Sequence, residues 1–182
     1  MKPYEEIPNV FKILLLGDKG VGKSSLFRQF AARTFDPHYQ SSIGVQMMII
    51  DIRYNNQNVK FIIWDLSEHP RHNDIRHLYY RATRGVILVY DITSAESFEH
   101  LPRMLGDVLE STGSDIKIAV LGNKSDLTQF RAVAREDGEN FVKRINAETS
   151  SETNIKTGEN MEGFFLALAK ALVESDKDYN IY

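Results

Sequence analysis

Eight residues near the N-terminus limit the possible folds more than any other part of the chain. They read Gly-Asp-Lys-Gly-Val-Gly-Lys-Ser at positions 17–24 and match the pattern G-x-x-x-x-G-K-[ST]. A loop that wraps a diphosphate must direct several backbone N–H groups inward, and glycine permits the backbone angles that this requires. The apolar run Phe11–Leu16 predicts a strand before the loop. The segment Gly22–Ala32 predicts a helix after it, whose positive N-terminus faces the same anion.

The residues of this loop have distinct predicted roles. The Lys23 ammonium would bridge the β- and γ-phosphate oxygens, and the Ser24 hydroxyl would bind Mg²⁺. The predicted nucleotide contacts in this part of the chain are Lys19, Gly20, Val21, Gly22, Lys23, Ser24 and Ser25. Of these, Lys23 is also the predicted catalytic cation.

Apolar, β-rich runs alternate with segments of helical period along the rest of the chain, which predicts a mostly parallel sheet covered on both faces. Strands are predicted at Phe11–Leu16, Gln46–Arg53, Val59–Asp65, Gly85–Tyr90, Lys117–Leu121 and in a short segment ending near Glu148. Helices are predicted at Gly22–Ala32, His72–Ala82, Ala95–Ser111, Ala134–Arg144 and Asn160–Glu174. We expect one domain over residues 1–182, with flexible ends at about 1–9 and 175–182.

Two details sharpen this layout. Asn55 and Asn56 separate the second and third strands and tolerate left-handed turn geometry, so they predict a hairpin that adds one antiparallel edge strand. Ligands of such sheets bind beyond the carboxyl ends of the strands. The loops after Leu16, Asp65 and Leu121 are therefore the candidate binding loops, together with the loop after Glu148.

Composition narrows the class of protein. The net charge of −3 gives no reason to expect general affinity for nucleic acid, and without cysteine the chain has neither disulfides nor thiol-ligated metal. No apolar run is long enough to cross a bilayer, and the N-terminus lacks the apolar core of a signal peptide. These features predict a cytoplasmic protein.

The segment Asn123-Lys124-Ser125-Asp126 follows the fifth predicted strand. Guanine presents N1–H and N2–H₂ side by side, and the Asp126 carboxylate can accept both hydrogen bonds. Adenine lacks these donors, and a site of this kind can reject the wrong ligand by about 10⁴-fold. Lys124 would lay its aliphatic stem along the base, and Asn123 would join neighbouring loops. The segment therefore predicts guanine recognition.

A third segment, residues 148–152, is predicted to follow the last strand and to complete the base site. A backbone N–H near Ser151 would bond the guanine O6, with Ser150 and Glu152 beside it. The alternative is an ordinary polar loop with no ligand.

These three motifs, in this order and spacing, resemble the small Ras-like GTPases, and within them the chain is similar to the Rab family. The supporting stretches are Ser-Ser-Ile-Gly-Val at 41–45, Phe-Ile-Ile-Trp-Asp at 61–65, Tyr-Tyr-Arg at 79–81 and Leu-Val-Tyr-Asp-Ile-Thr-Ser at 88–94. The resemblance covers about residues 10–174. It implies an α/β P-loop NTPase G domain with a six-stranded, mostly parallel sheet, one antiparallel strand and five flanking helices. It also implies a GTP/GDP cycle with Mg²⁺ in vesicle transport.

The resemblance assigns further residues. Phe35 would cover the base; the alternative is a core aromatic residue. Mg²⁺ would be held by Ser24, Ser42 and Asp65. Effectors, exchange factors and activating proteins would bind through two switch segments, Phe35–Val45 and Asp65–Tyr80.

The chain departs from the family pattern at several of these positions. Ser42 replaces a threonine, Glu68 and His69 replace the Gly-Gln pair of the second switch, and Lys19 replaces a small residue. Glu152 stands where a lysine would cover the base. Slow hydrolysis is therefore expected, with His69 as the only candidate to orient water. The alternative is a nucleotide-stabilised binding module that hardly hydrolyses or switches.

The C-terminal residues also differ from those of Rab proteins, which end in a tail with prenylated cysteines. Cysteine is absent from the sequence, so no lipid anchor is expected on it. Peripheral association with endomembranes is expected only if the native chain is longer than this one.

Overall fold

The computed structural model describes residues 9–26, 29, 40–42, 45–66 and 78–179. In this part of the chain the strands are β1 (Asn9–Leu16), β2 (Gln40–Ser42), β3 (Val45–Tyr54), β4 (Gln57–Asp65), β5 (Gly85–Asp91), β6 (Lys117–Asn123) and β7 (Thr149–Thr153). The helices are α1 (Ala95–Glu99), α2 (Leu101–Thr112), α3 (Arg135–Arg144) and α4 (Met161–Tyr179), with a 3₁₀ turn at Thr128–Phe130. Residues 23–26, 29 and 78–80 are also helical.

The strands form one sheet in the order β2-β3-β4-β1-β5-β6-β7. β1 lies at its centre and pairs in parallel with β4 and β5. β3 runs antiparallel to both β2 and β4. The predicted class, a mostly parallel sheet with one antiparallel strand, is confirmed. The three-residue strand β2 extends it by one short edge strand.

The predicted hairpin joins β3 to β4. Its loop consists of Asn55 and Asn56, whose φ angles of 47° and 61° are both in the left-handed region. Two successive residues with positive φ match the right-handed twist of the flanking strands, and asparagine adopts this geometry more readily than most residues.

Helices cover both faces of the sheet because side chains alternate along β1. Ile13 and Leu15 belong to the core beneath α4, whose Leu168 and Leu172 are fully buried there. Leu14 belongs to the opposite core with the apolar side chains of α2 and α3. Burying one such side chain contributes about 1.5–3 kcal/mol to folding. β1 therefore fixes the position of the loop that follows it from both sides of the sheet.

The prediction of one helix over Ala95–Ser111 is wrong, because two helices, α1 and α2, occupy this segment. His100 is at once the last cap of α1 and the first cap of α2, and Pro102 lies in the first turn of α2. Proline has no backbone N–H to continue a helical ladder and is tolerated only in the first turn of a helix. Pro102 therefore starts a new helix and leaves His100 at the junction.

The final helix is longer than predicted, since α4 continues from Met161 to Tyr179 rather than ending at Glu174. The Asp176 carboxylate pairs with the Arg84 guanidinium, and the Tyr54 hydroxyl donates to Glu174 Oε1 at 3.2 Å. These contacts with other elements extend the helix into the predicted flexible end. Among the described residues, no helix combines the length and apolar character needed to span a membrane.

The last strand lies later in the chain than the sequence predicts. β7 begins at Thr149, after the expected end near Glu148, and pairs in parallel with β6 from Ala119↔Thr149 to Asn123↔Thr153. Its sequence Thr-Ser-Ser-Glu-Thr is polar because β7 is an edge strand and only Thr153 is fully buried. This polarity made the strand resemble a loop.

Candidate functional site

The carboxyl ends of β1, β4, β6 and β7 lie on the same edge of the sheet, because these strands run parallel to one another. The loops that leave this edge carry the predicted phosphate and base motifs. This is the place where ligands of open α/β sheets bind.

Lys23 is held inside the phosphate loop. It is only 4% exposed, and its ammonium donates to the carbonyl oxygens of Gly17 at 2.6 Å and Asp18 at 2.7 Å. Burial lowers the pKa of Lys23, while the nearby carboxylates of Asp65 and Asp18 act in the opposite direction. A buried cation at the start of a helix, ringed by backbone carbonyls, is well placed to exchange these carbonyls for phosphate oxygens.

The other predicted residues of this loop differ in exposure. Lys19, Gly20 and Ser24 are exposed, Gly22 and Ser25 are half-buried, and Val21 is buried. The exposed side chains and backbone are open to a ligand, whereas Val21 anchors the loop in the core beneath α4.

Gly22 shows why a glycine is required at this position. Its φ is +109°, and an added Cβ atom would lie 2.1 Å from Nδ2 of Asn123. No other residue could adopt this backbone angle without strain or fit this space. The phosphate loop and the base loop are therefore packed in direct contact.

Asn123 joins three loops with one side chain. It is 4% exposed, its Nδ2 donates to the carbonyl oxygen of Val21 at 2.7 Å, and its Oδ1 accepts from the N–H of Ile155 at 3.0 Å. The N–H of Ser125 adds a further link by donating to Thr153 O at 3.1 Å. The connecting role expected of Asn123 is present in the structure.

Lys124 and Asp126 lie in the turn after β6. Lys124 has a φ of +66°, which is strained for a residue with a side chain, and its ammonium pairs with the Asp91 carboxylate. Burial raises the pKa of Asp91, but hydrogen bonds from Lys124 and Thr93 outweigh this effect and leave the pKa below its usual value. Asp126 is exposed at the same edge of the sheet.

The third predicted segment lies elsewhere than expected. Ser150, Ser151 and Glu152 are in β7 rather than in a loop after it, and they line a cavity of about 540 Å³ that also contacts Gly138 of α3. Both carboxylate oxygens of Glu152 accept hydrogen bonds from the Arg131 guanidinium, at 2.6 and 2.7 Å. Glu152 is therefore a structural partner of Arg131, and it does not occupy the position of a base-covering lysine.

The segment that follows β7 is not among the predicted site residues. Asn154, Ile155 and Lys156 come directly after the end of β7, and Ile155 binds Asn123. The sequence contains Glu-Thr twice, at 148–149 and 152–153, and the predicted base segment begins at the first pair. The second pair aligns Lys156 with the family's lysine, so the expected loss of this lysine is not a departure of this chain.

A family model described as Ras family matches residues 12–174, which is most of the chain. The chain belongs to the Ras family. Ras-family proteins are small GTPases that bind guanine nucleotides with Mg²⁺, hydrolyse GTP and act as switches through regulators and effectors. The three loops joined by Asn123 are thus the candidate nucleotide-binding edge of this Ras-family chain.

The donors available for Mg²⁺ in this Ras-family chain are hard oxygens. Ser24 presents an exposed hydroxyl, and Asp65 lies buried at the end of β4, near Lys23. Ser42 ends β2, where its backbone pairs with Val45. One carboxylate with hydroxyls and nucleotide phosphates is a donor set that suits Mg²⁺.

Several predicted residues lie outside those that the structure describes. They are Phe35, Glu68, His69 and the side chain of Ser42. The two switch segments are described only at residues 40–42, 45, 65–66 and 78–80. The roles assigned to these residues remain predictions.

The revised base segment can be tested with two single substitutions. We expect Lys156→Ala to weaken GDP binding about threefold, roughly 0.6 kcal/mol, because it removes an aliphatic stem beside the base. Glu152→Gln should lower the free energy of unfolding by about 1 kcal/mol through the loss of its pairing with Arg131. It should leave GDP affinity within about twofold of the parent. Fluorescence titration and urea denaturation measure the two effects. A greater loss of GDP affinity in Glu152→Gln than in Lys156→Ala would contradict the revision.

Proposed function

We propose that this Ras-family GTPase is a Rab-type switch that recognises guanine through Asp126 and hydrolyses GTP slowly. The observation that carries the proposal is the joining of the phosphate loop, the base loop and the segment after β7 by Asn123. The residues proposed to bind the phosphates and those proposed to bind the base therefore lie at one edge of the sheet.

Guanine selectivity is supported by the state of Asp126. Its side chain is exposed, and no hydrogen bond or ion pair with another described residue occupies its carboxylate. A free carboxylate can accept the two adjacent N–H groups of guanine as a charge-assisted pair. Lys124, paired with Asp91, holds the turn that carries Asp126.

A Rab-type partner surface is supported by an aromatic residue at the end of β4 and another in the second switch segment. Met47 and Trp64 are opposite each other on β3 and β4, and the Trp64 and Tyr79 rings are 6.3 Å apart. The Lys12 ammonium lies 4.3 Å from the Trp64 ring and donates to the Tyr79 carbonyl at 2.6 Å. Leu78 is 50% exposed beside them. Half-buried aromatic residues with exposed apolar neighbours are typical of protein-binding surfaces.

The slow hydrolysis rests on the chemistry of the second switch. Glu68 lacks the conformational freedom by which a glycine directs its N–H to the γ-phosphate. Pro70 favours an extended backbone at His69, the only candidate to orient the attacking water. The place of this switch in vesicle transport rests on the resemblance to Rab proteins alone.

The metal and Lys23 have separate parts in this proposal. Mg²⁺ would be held by Ser24, Ser42 and Asp65, and when bound it neutralises charge on the phosphates. Lys23 supplies a second positive charge from within the loop, and the backbone N–H groups of the loop orient the phosphate chain. These residues bind and position the nucleotide whatever the rate of hydrolysis.

A second candidate function follows from the same departures at Glu68 and His69. The chain would then be a nucleotide-stabilised binding module, in which GTP or GDP is a structural ligand. Single-turnover hydrolysis of bound GTP, with and without Mg²⁺, separates the two functions. Hydrolysis that requires Mg²⁺ supports the switch, and the absence of hydrolysis over many hours supports the binding module.

Base recognition is tested by Asp126→Asn. Xanthine presents N1–H beside a carbonyl oxygen where guanine presents two donors. The amide of asparagine can accept from the N–H and donate to the carbonyl, so this variant should prefer XDP to GDP. The parent protein should bind GDP about 10⁴-fold more tightly than ADP. Competition against a fluorescent nucleotide measures both preferences, and Ser125→Ala serves as a control in the same turn. Unchanged GDP preference in Asp126→Asn would refute the assignment.

Hydrolysis is tested by restoring the family residues one at a time. His69→Gln alone should give little gain in the single-turnover rate, because Glu68 still lacks the backbone freedom of glycine. Glu68→Gly together with His69→Gln should raise the rate by about tenfold or more, which corresponds to roughly 1.4 kcal/mol of barrier. If the double variant is as slow as the parent, the second switch is not the cause of slow turnover.

A further inference from the structure

We propose that His100 is a positioning residue of the phosphate loop, which holds Asp18 so that the Lys23 ammonium is placed for the nucleotide phosphates. The proposal rests on nucleotide binding at the edge described above. It adds a residue from outside the three nucleotide-binding loops.

The contact that carries the proposal joins distant parts of the chain. Nδ1 of His100 lies 2.7 Å from Oδ2 of Asp18, with the two side chains 48% and 30% exposed. Asp18 is the second residue of the phosphate loop, and His100 lies at the junction of α1 and α2. The phosphate loop is therefore attached to the sheet through β1, which precedes it. It is also attached to the α1–α2 junction through the contact between Asp18 and His100.

The helix break explains why His100 is available. His100 is the N-terminal cap of α2, yet its side chain makes no capping hydrogen bond. The backbone N–H groups of the first turn are the ones that a cap satisfies, and Pro102, in that turn, has none. The imidazole is directed to Asp18 instead.

Asp18 transmits this contact to Lys23. Its carboxylate meets His100, while its backbone carbonyl accepts a hydrogen bond of 2.7 Å from the Lys23 ammonium. The same carbonyl lies 3.5 Å from the N–H of Val21. Fixing the Asp18 side chain therefore fixes the carbonyl that holds Lys23 before the phosphates arrive.

The surroundings of this pair carry charges of both signs. A groove of about 500 Å³ contains Asp18 and His100, together with the exposed Lys19, Glu96 of α1 and the ion-paired Asp91 and Lys124. A carboxylate in a phosphate-binding loop repels the phosphate chain unless a donor engages it. His100 engages Asp18 and keeps this carboxylate at the rim of the loop.

A double-mutant cycle on release of a fluorescent GDP analogue tests the proposal. His100→Ala should speed release about three- to tenfold, the size expected for the loss of one partly exposed hydrogen bond. In an Asp18→Ala background, His100→Ala should have no further effect, because its partner is already absent. His100→Asn, which retains a donor, should recover most of the parent rate. Glu99→Ala is the matched control, since Glu99 is exposed next to His100.

Two results would overturn the proposal while leaving nucleotide binding intact. One is a release rate in His100→Ala equal to that of the parent protein. The other is an equal effect of His100→Ala with and without Asp18, which indicates a general effect on the fold. Failure of the parent protein to bind the analogue at all would instead refute the nucleotide-binding function, and this proposal with it.

Discussion

The pair of hydrogen bonds made by the buried Asn123 side chain determines how the nucleotide-binding edge is assembled. Nδ2 holds the phosphate loop at Val21, and Oδ1 holds the segment after β7 at Ile155. Both partners are backbone groups that would otherwise be buried without a hydrogen bond, a state that costs about 1–3 kcal/mol for each group. Gly22 has no side chain because the Asn123 amide occupies that space. One buried side chain therefore holds the phosphate loop, the base loop and the segment after β7 together.

A second set of contacts braces these loops from β5 and the helices that follow it. Asp91, at the end of β5, pairs with Lys124 of the base loop, and His100 pairs with Asp18 of the phosphate loop. The segment from Asp91 to His100 thus reaches both loops. In the first pair Asp91 is buried and Lys124 is half-buried, and in the second pair His100 is exposed and Asp18 is half-buried.

The phosphate and base loops could be predicted from the sequence because their chemistry requires adjacent residues of fixed type. The break before Pro102 is also a local signal, because proline starts a helix far more readily than it continues one. The position of β7 was missed because an edge strand has few buried side chains and because Glu-Thr occurs twice. The extension of α4 depends on Arg84 and Tyr54, and the His100–Asp18 contact joins residues 82 positions apart. Such long-range contacts leave no pattern in the sequence.

The most direct test of this account is the equilibrium affinity of Asn123→Asp for GDP beside that of the parent protein. The substitution keeps the oxygen that accepts from Ile155 and replaces the donor to Val21 by a second oxygen. The loss of this buried donor, with the repulsion between two oxygens, should weaken GDP binding about 10- to 100-fold in a protein that remains folded by circular dichroism. GDP affinity equal to that of the parent protein would contradict the claim that Asn123 assembles the site.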